Sequence, residues 1–192
     1  MSNEQLKLRR MILAALFAAI TGILAQMTIP LPLVPITGQT LAIGLAATIL
    51  GARYGTISIM LYLALGAVGV PVFAEMKSGI SVLFGPTGGY LVGFIPTAFI
   101  IGFYMEKSSF TFKHAMVANT IGMIVTLVIG TAWLKMSAGL PWAGAFKGGF
   151  YPFIPVGLIK AALAASIGIG VRKRLVSANL LGTVTPGMKH TI

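Results

Sequence analysis

Apolar residues run along this chain in six long stretches separated by short polar or proline-rich breaks. The stretches cover residues 11–28, 41–52, 54–70, 89–105, 115–134 and 152–171. A bilayer core takes roughly 20 helical residues, so the first, fifth and sixth stretches are long enough to cross it. The shortest, 41–52, covers only about 18 Å of helix. The pattern predicts an all-α membrane protein of six transmembrane helices.

Composition supports a membrane location. Of 192 residues, 57% are hydrophobic and 9% are charged, and the mean hydropathy is +0.95. Soluble domains carry about 25% charged residues, so this chain has too little polar surface for a soluble globule. The net charge of +11 does not indicate nucleic-acid binding, because the basic residues flank apolar runs and form no continuous face.

The basic residues also predict how the chain is oriented. Ten of the 14 lysines and arginines fall on the side of the N-terminus: Lys7, Arg9, Arg10, Arg53, Lys107, Lys113, Arg172, Lys173, Arg174 and Lys189. The opposite side has Lys77, Lys135 and Lys147. Since cytoplasmic loops are enriched in basic residues, both termini are predicted in the cytoplasm. We predict that residues 1–175 form one six-helix transmembrane domain and that residues 176–192 form a loosely ordered cytoplasmic tail.

Three long loops share the outer side. They cover 29–39, 69–88 and 136–151, and they are rich in glycine, proline and aromatic residues. Either they simply connect helices, or they fold back as a lid over an outward-facing pocket. Loops of this length are usually functional, which favours the lid.

Lys160 is the strongest candidate for a functional residue. It lies eight residues after Pro152, hence about 12 Å into the last helix. An ionisable group at this depth usually faces a cavity and marks a substrate path, although a lysine can also extend its ammonium towards the interface. A substrate carboxylate would supply the partner that a buried ammonium needs.

Other candidate binding groups lie near the outer ends of the helices. Thr37, Gln39 and Thr87 offer hydroxyl or amide groups, and Gly85 belongs to the glycine-rich entry to the fourth helix. Aromatic residues on this side serve either as interfacial belt residues or as pocket walls. One cation, a few polar groups and aromatic walls suit a small amphiphilic carboxylate.

The first helix has a face of small residues. These are Ala14, Ala18 and Gly22 at a spacing of four, with Ala15 and Ala19 beside them. Small residues at this spacing let another helix approach closely. That helix belongs either to the same bundle or to a partner subunit.

Several classes of function are disfavoured. The chain has no cysteine, and His114 and His190 are its only histidines, so we predict no metal site and no cofactor. Three acidic residues leave no acid and base pair for an enzyme. No phosphate-binding loop for ATP and no ion-coupling relay is present, so another chain would supply the energy for transport. A stand-alone secondary carrier remains an alternative.

Four motifs in order resemble the BioY family, the biotin-capturing S components of energy-coupling factor (ECF) transporters. They are VPITGQT at 34–40, GVPVFA at 69–74, GPTGGYL at 85–91 with Gly93 and Phe94, and PFIP at 152–155 followed by Lys160. The resemblance implies a six-helix S-component fold in a prokaryotic plasma membrane. It also implies a biotin pocket beneath the first and third outer loops.

The resemblance further implies residue roles and partners. Substrate-binding residues would be Thr37, Gln39, Phe73, Gly85, Thr87, Tyr90, Phe153 and Lys160. The small residues Ala14, Ala15, Ala18, Ala19 and Gly22 would contact a transmembrane scaffold subunit, which works with two ATP-hydrolysing subunits. One position departs from the family pattern Pro-Gly-Asp-x-x-Lys, because Gly157 replaces the aspartate. A different small carboxylate is therefore an alternative ligand.

Overall fold

A computed structural model describes residues 3–181, and its long elements are all helices. In chain order the elements are α1 (Asn3–Ala25), β1 (Thr28–Ile29), β2 (Ile36–Thr37), α2 (Gln39–Ala67), a 3-10 turn (Ala74–Met76), α3 (Ile80–Phe84), α4 (Gly88–Lys107), α5 (Phe112–Ser137), α6 (Trp142–Gly149) and α7 (Phe153–Ser177). Helices α1, α2, α4, α5 and α7 are long and apolar enough to cross a membrane. The prediction that the long elements are all helices is confirmed, and five helices with the length and apolar character of membrane spans match the predicted apolar stretches, one to one or as a pair.

Helix α2 folds back on itself at Gly51. The backbone there has φ 81° and ψ −173°, a conformation that residues other than glycine rarely adopt. Gln39 Nε2 donates a hydrogen bond to Tyr62 Oη at 2.5 Å, although the two residues are 23 apart in sequence. A straight helix would separate them by about 34 Å. The element therefore has two antiparallel arms, 39–50 and 52–67, which correspond to the second and third predicted apolar stretches.

Charged side chains from two other helices hold this reversal. The Arg172 guanidinium of α7 donates to the Ile49 carbonyl, at the negative end of the first arm. Glu106 Oε1 of α4 accepts from the Ala52 amide at 3.0 Å, at the positive end of the second arm. Arg172 is only 6% exposed, and its guanidinium lies 3.6 Å from the centre of the Phe110 ring. The sharp turn thus depends on contacts distant in sequence.

The helices pack around the two arms of α2. This element contacts α1, α4 and α7, and α5 contacts α4, α6 and α7. Tyr62, Phe73 and Phe94 are among the largest fully buried side chains. Large apolar side chains such as Leu16 and Phe99 remain about half exposed, at 52% and 49%. Lipid tails are as apolar as these side chains, so the exposed side chains can face lipid without being covered by protein.

The small-residue face of α1 differs from the prediction that all five of its residues contact a partner subunit. Ala14 and Ala18 are each 1% exposed, and Gly22 is buried with its α-carbon beside Val72. Ala14 and Ala18 pack in apolar clusters with α2, and Gly22 lies against Val72 of the second outer loop, so the chain itself covers all three. A spacing of four places residues on one face but does not decide what covers that face. Ala15 and Ala19 are exposed and remain predicted partner contacts.

The end of α7 extends slightly beyond the predicted domain boundary. The helix ends at Ser177, and the chain then turns back towards α1. Arg9 Nη1 donates to the Asn179 carbonyl at 3.2 Å, and Leu181 is 3% exposed in a cluster with Ala14 and Phe17. Residues 182–192 of the predicted tail lie outside the described part of the chain.

Candidate functional site

A cavity opens at the end of the bundle opposite the α2 reversal. The walls come from α2, α4, α5, α7 and the first two outer loops, through Val34, Pro35, Thr37, Gln39, Thr40, Phe73, Ala74, Lys77, Val82, Thr87, Tyr90, Leu91, Phe94, Thr126, Leu127, Phe153 and Lys160. No residue of the third outer loop, 136–151, lines it. The implied position beneath the first and third loops is therefore corrected to the first and second.

Lys160 supplies one of the two cations in the cavity wall. Its Nζ donates to the Thr37 carbonyl at 2.5 Å and to Thr40 Oγ1 at 3.2 Å. An ammonium has three donors, so one remains for another acceptor. The lysine thus lines the cavity, as its sequence position suggested. Helix α7 contains no carboxylate that could pair with it.

Thr37 and Gln39 belong to a hydrogen-bonded chain at the start of α2. Thr37 Oγ1 donates to Gln39 Oε1 at 2.7 Å, and Gln39 Nε2 donates to Tyr62 Oη at 2.5 Å. Tyr62 Oη in turn donates to the Val72 carbonyl at 3.1 Å. Gln39 is only 4% exposed. Much of its amide capacity is therefore used to hold the second outer loop over the cavity, and one N–H is left for a ligand.

Two sets of contacts hold the second outer loop over the cavity. Phe73 is 1% exposed, lies against Gly66, and meets the Tyr62 ring edge-on at 5.6 Å. Gln26, at the end of α1, donates from Nε2 to the Phe73 carbonyl at 3.0 Å. Its Oε1 accepts from the Met76 amide at 2.9 Å. Sequence reasoning missed Gln26, although it is an isolated polar residue at the end of an apolar stretch.

The remaining predicted residues occupy the opposite wall and the rim. The Tyr90 and Phe153 rings stack with centres 6.1 Å apart, and Tyr90 Oη donates to the Gly149 carbonyl at 2.7 Å. Thr87 lines the cavity, whereas Gly85 lines only an adjoining depression outside it. The Gly85 carbonyl accepts from Trp133 Nε1 at 3.0 Å. Seven of the eight predicted site residues therefore meet in one cavity.

A deeper pocket continues below Lys160. Its walls include Thr97, Asn119, Met123, Thr126 and Gly157. The Thr97 and Thr126 hydroxyls lie 2.7 Å apart. Both threonines interrupt otherwise apolar helices, which is the signal that sequence reasoning overlooked. Within residues 3–181 no group of three histidine, cysteine or carboxylate side chains is placed to hold a metal ion.

The sequence and the fold match known proteins along nearly the whole chain. The profile of the BioY family matches residues 1–177. The biotin transporter BioY2 of Lactococcus lactis is 43% identical over 176 residues, covering 92% of this chain and 97% of the relative. The biotin transporter BioY of Thermotoga maritima is 39% identical over 166 residues, covering 86% and 97%. A 2.1 Å crystal structure of the S-component for biotin from an ECF-type ABC transporter superposes with a TM-score of 0.82 at 32% identity, covering 90% of this chain and 95% of that one.

Proposed function

The chain belongs to the BioY family, and on this premise we propose that it captures biotin for uptake by an ECF transporter. The observation that carries the proposal is the Lys160 ammonium, which lies in an otherwise largely apolar cavity with one donor unused. The relatives named as biotin transporters support the choice of ligand. The chain acts as a capture subunit and leaves ATP hydrolysis to other subunits.

Biotin matches the cavity in both its apolar and its polar parts. Its fused rings and aliphatic chain suit walls made by Leu91, Phe94 and Phe153. Its urea group offers a carbonyl acceptor and two N–H donors. The free donor of Lys160 can meet the carbonyl, and the Thr37 hydroxyl can accept from an N–H. Substrate contacts are thus proposed for Thr37, Gln39, Phe73, Thr87, Tyr90, Phe153 and Lys160, with Gly85 shaping the rim.

Gly157 favours one alternative, an S component for a different small carboxylate. In the family pattern an aspartate occupies this position, and here the Met123 sulfur lies where a side chain would begin. A urea N–H that would have met the aspartate needs another acceptor. The Thr126 hydroxyl, which lines both parts of the cavity, is a neutral candidate in its wall.

We also propose the topology of an S component. The two arms of α2 make two crossings, giving six transmembrane helices with both termini in the cytoplasm. The basic residues support this orientation, since Arg10 and Arg53 both lie 5.8 Å from the Tyr54 ring centre beside the α2 reversal. The cavity then opens to the outside of the cell membrane.

The partner surface is proposed on the exposed side of α1. Ala15 and Ala19 lie there, with Ile12 at 59%, Leu16 at 52% and Ile23 at 68% exposed. Two alanines four apart leave a shallow groove between larger side chains, which another helix can enter. The proposed partner is the transmembrane scaffold subunit, which assembles with two ATP-hydrolysing subunits.

The test is to purify the chain and identify a co-purifying small molecule by mass, then titrate the emptied protein with biotin. Tight biotin binding supports the proposal. Another co-purified carboxylate together with no biotin binding would overturn the choice of ligand. Reconstitution of the chain alone distinguishes a carrier, because solute accumulation driven by an ion gradient without ATP would contradict a capture subunit.

A further inference from the structure

A second ammonium, that of Lys77, lies at the mouth of the cavity. Lys77 lines both the cavity and the adjoining depression outside it, whereas Glu75 lines only the depression. Lys77 Nζ and Glu75 Oε2 are 2.6 Å apart and form the only ion pair within residues 3–181. The pair therefore marks the boundary between the cavity and its surroundings, with the cation on the cavity side.

The backbone that carries this pair is held in an unusual conformation. Glu75 and Met76 have φ of 60° and 57°, which is costly for residues other than glycine. The Phe73 amide donates to the Lys77 carbonyl at 3.1 Å and closes the turn. Gln26 bonds to both the Phe73 carbonyl and the Met76 amide. These contacts fix the turn, so the position of Lys77 at the mouth is set before any ligand arrives.

The Lys77–Glu75 pair can exchange partners easily. The two side chains are 59% and 41% exposed. An ion pair exposed to this extent contributes little to stability, because water screens it and two side chains must be ordered. A carboxylate that enters the mouth can therefore replace Glu75 at small cost.

The depth of the two lysines decides which end of the ligand each one meets. Lys160 already donates to the Thr37 carbonyl and to the Thr40 hydroxyl. Burying an ionised carboxylate at this depth costs more than burying a neutral urea. The mouth keeps part of its solvent, and Lys77 is the cation there. These costs favour the urea beside Lys160 and the carboxylate at the mouth, instead of the carboxylate beside Lys160 that the sequence suggested.

We propose that Lys77 binds the carboxylate of the captured ligand by exchanging Glu75 for it, and so selects ligands with an acidic tail. This inference rests on the proposed capture of biotin. It assigns a specificity role to a residue that the sequence motifs do not contain.

The experiment compares biotin with biotinamide, in which an uncharged amide replaces the carboxylate, by calorimetric titration of the full chain in detergent. Wild type should bind biotin roughly tenfold more tightly than biotinamide, as expected for one charge-assisted hydrogen bond at a partly exposed site. Lys77→Met should lose this preference by binding biotin more weakly, with no change for biotinamide. Lys77→Arg should retain the preference, and Glu75→Gln should tighten biotin binding only. Lys147→Met, in α6 and away from the cavity lining, is the matched control.

The outcomes separate this inference from the proposed function. If Lys77→Met keeps the wild-type preference for biotin, Lys77 is not the carboxylate partner and the inference is overturned. The same conclusion follows if Lys160→Met abolishes the preference instead, because the carboxylate then lies at the cavity floor. If folded wild type binds neither compound, the proposed biotin capture itself fails.

Discussion

Replacing Gly157 by aspartate tests how this cavity recognises the urea of biotin. Gly157 lies three residues before Lys160, on the same face of α7, and lines the deeper pocket. A side chain there would first meet the Met123 sulfur and, at 3.0 Å, its Cγ. Methionine is flexible, so Met123 can rotate away, at a cost of about 1 kcal/mol for overpacking.

The gain comes from a new charged acceptor. A carboxylate that accepts one urea N–H contributes about 1.5–3 kcal/mol. After the cost of moving Met123, a net gain of roughly 0.5–2 kcal/mol remains, which corresponds to about 2- to 30-fold tighter binding. We therefore expect Gly157→Asp to bind biotin more tightly than the natural chain.

The assay is a biotin titration of both proteins, with circular dichroism to check that they fold alike. Gly157→Asn is the matched control, because it adds the same volume without the charge. Gly157→Asp combined with Met123→Ala removes the steric cost and should show the full gain. If the aspartate and asparagine variants bind equally, or if the double variant shows no gain, the urea does not lie beside Gly157.

Three further predictions follow from the geometry. Lys160→Met should weaken biotin binding by about 1.5–3 kcal/mol, measured by titration, with a smaller effect on thermal unfolding; unchanged affinity would mean that Lys160 does not contact the ligand. Leucine at both Ala15 and Ala19 should fill the proposed groove and prevent co-purification with the scaffold subunit while biotin binding persists; an intact complex would place the interface elsewhere. Gly51→Ala should destabilise the chain by at least about 1–3 kcal/mol in thermal unfolding, because φ is 81° and the added carbon meets Glu106; wild-type stability would show that the turn relaxes.

The hydropathy pattern alone determined the class of this protein. Each membrane-crossing helix must satisfy its own backbone and present apolar side chains to lipid, so the information lies within each segment. For the same reason the break between the second and third stretches was visible near Arg53, close to the actual reversal at Gly51. Lys160 was also recognisable, because a lone cation in an apolar helix stands out without reference to any other segment.

The tertiary structure decided what each face meets. The spacing of small residues on α1 could be recognised in the sequence. Only the packing of α1 on α2 showed that Ala14 and Ala18 are buried while Ala15 and Ala19 are exposed. Likewise, Gln26 reaches Phe73 across 47 residues, and no local pattern encodes such a contact. Periodicity assigns residues to a face, whereas the neighbour that covers the face depends on how all helices pack together.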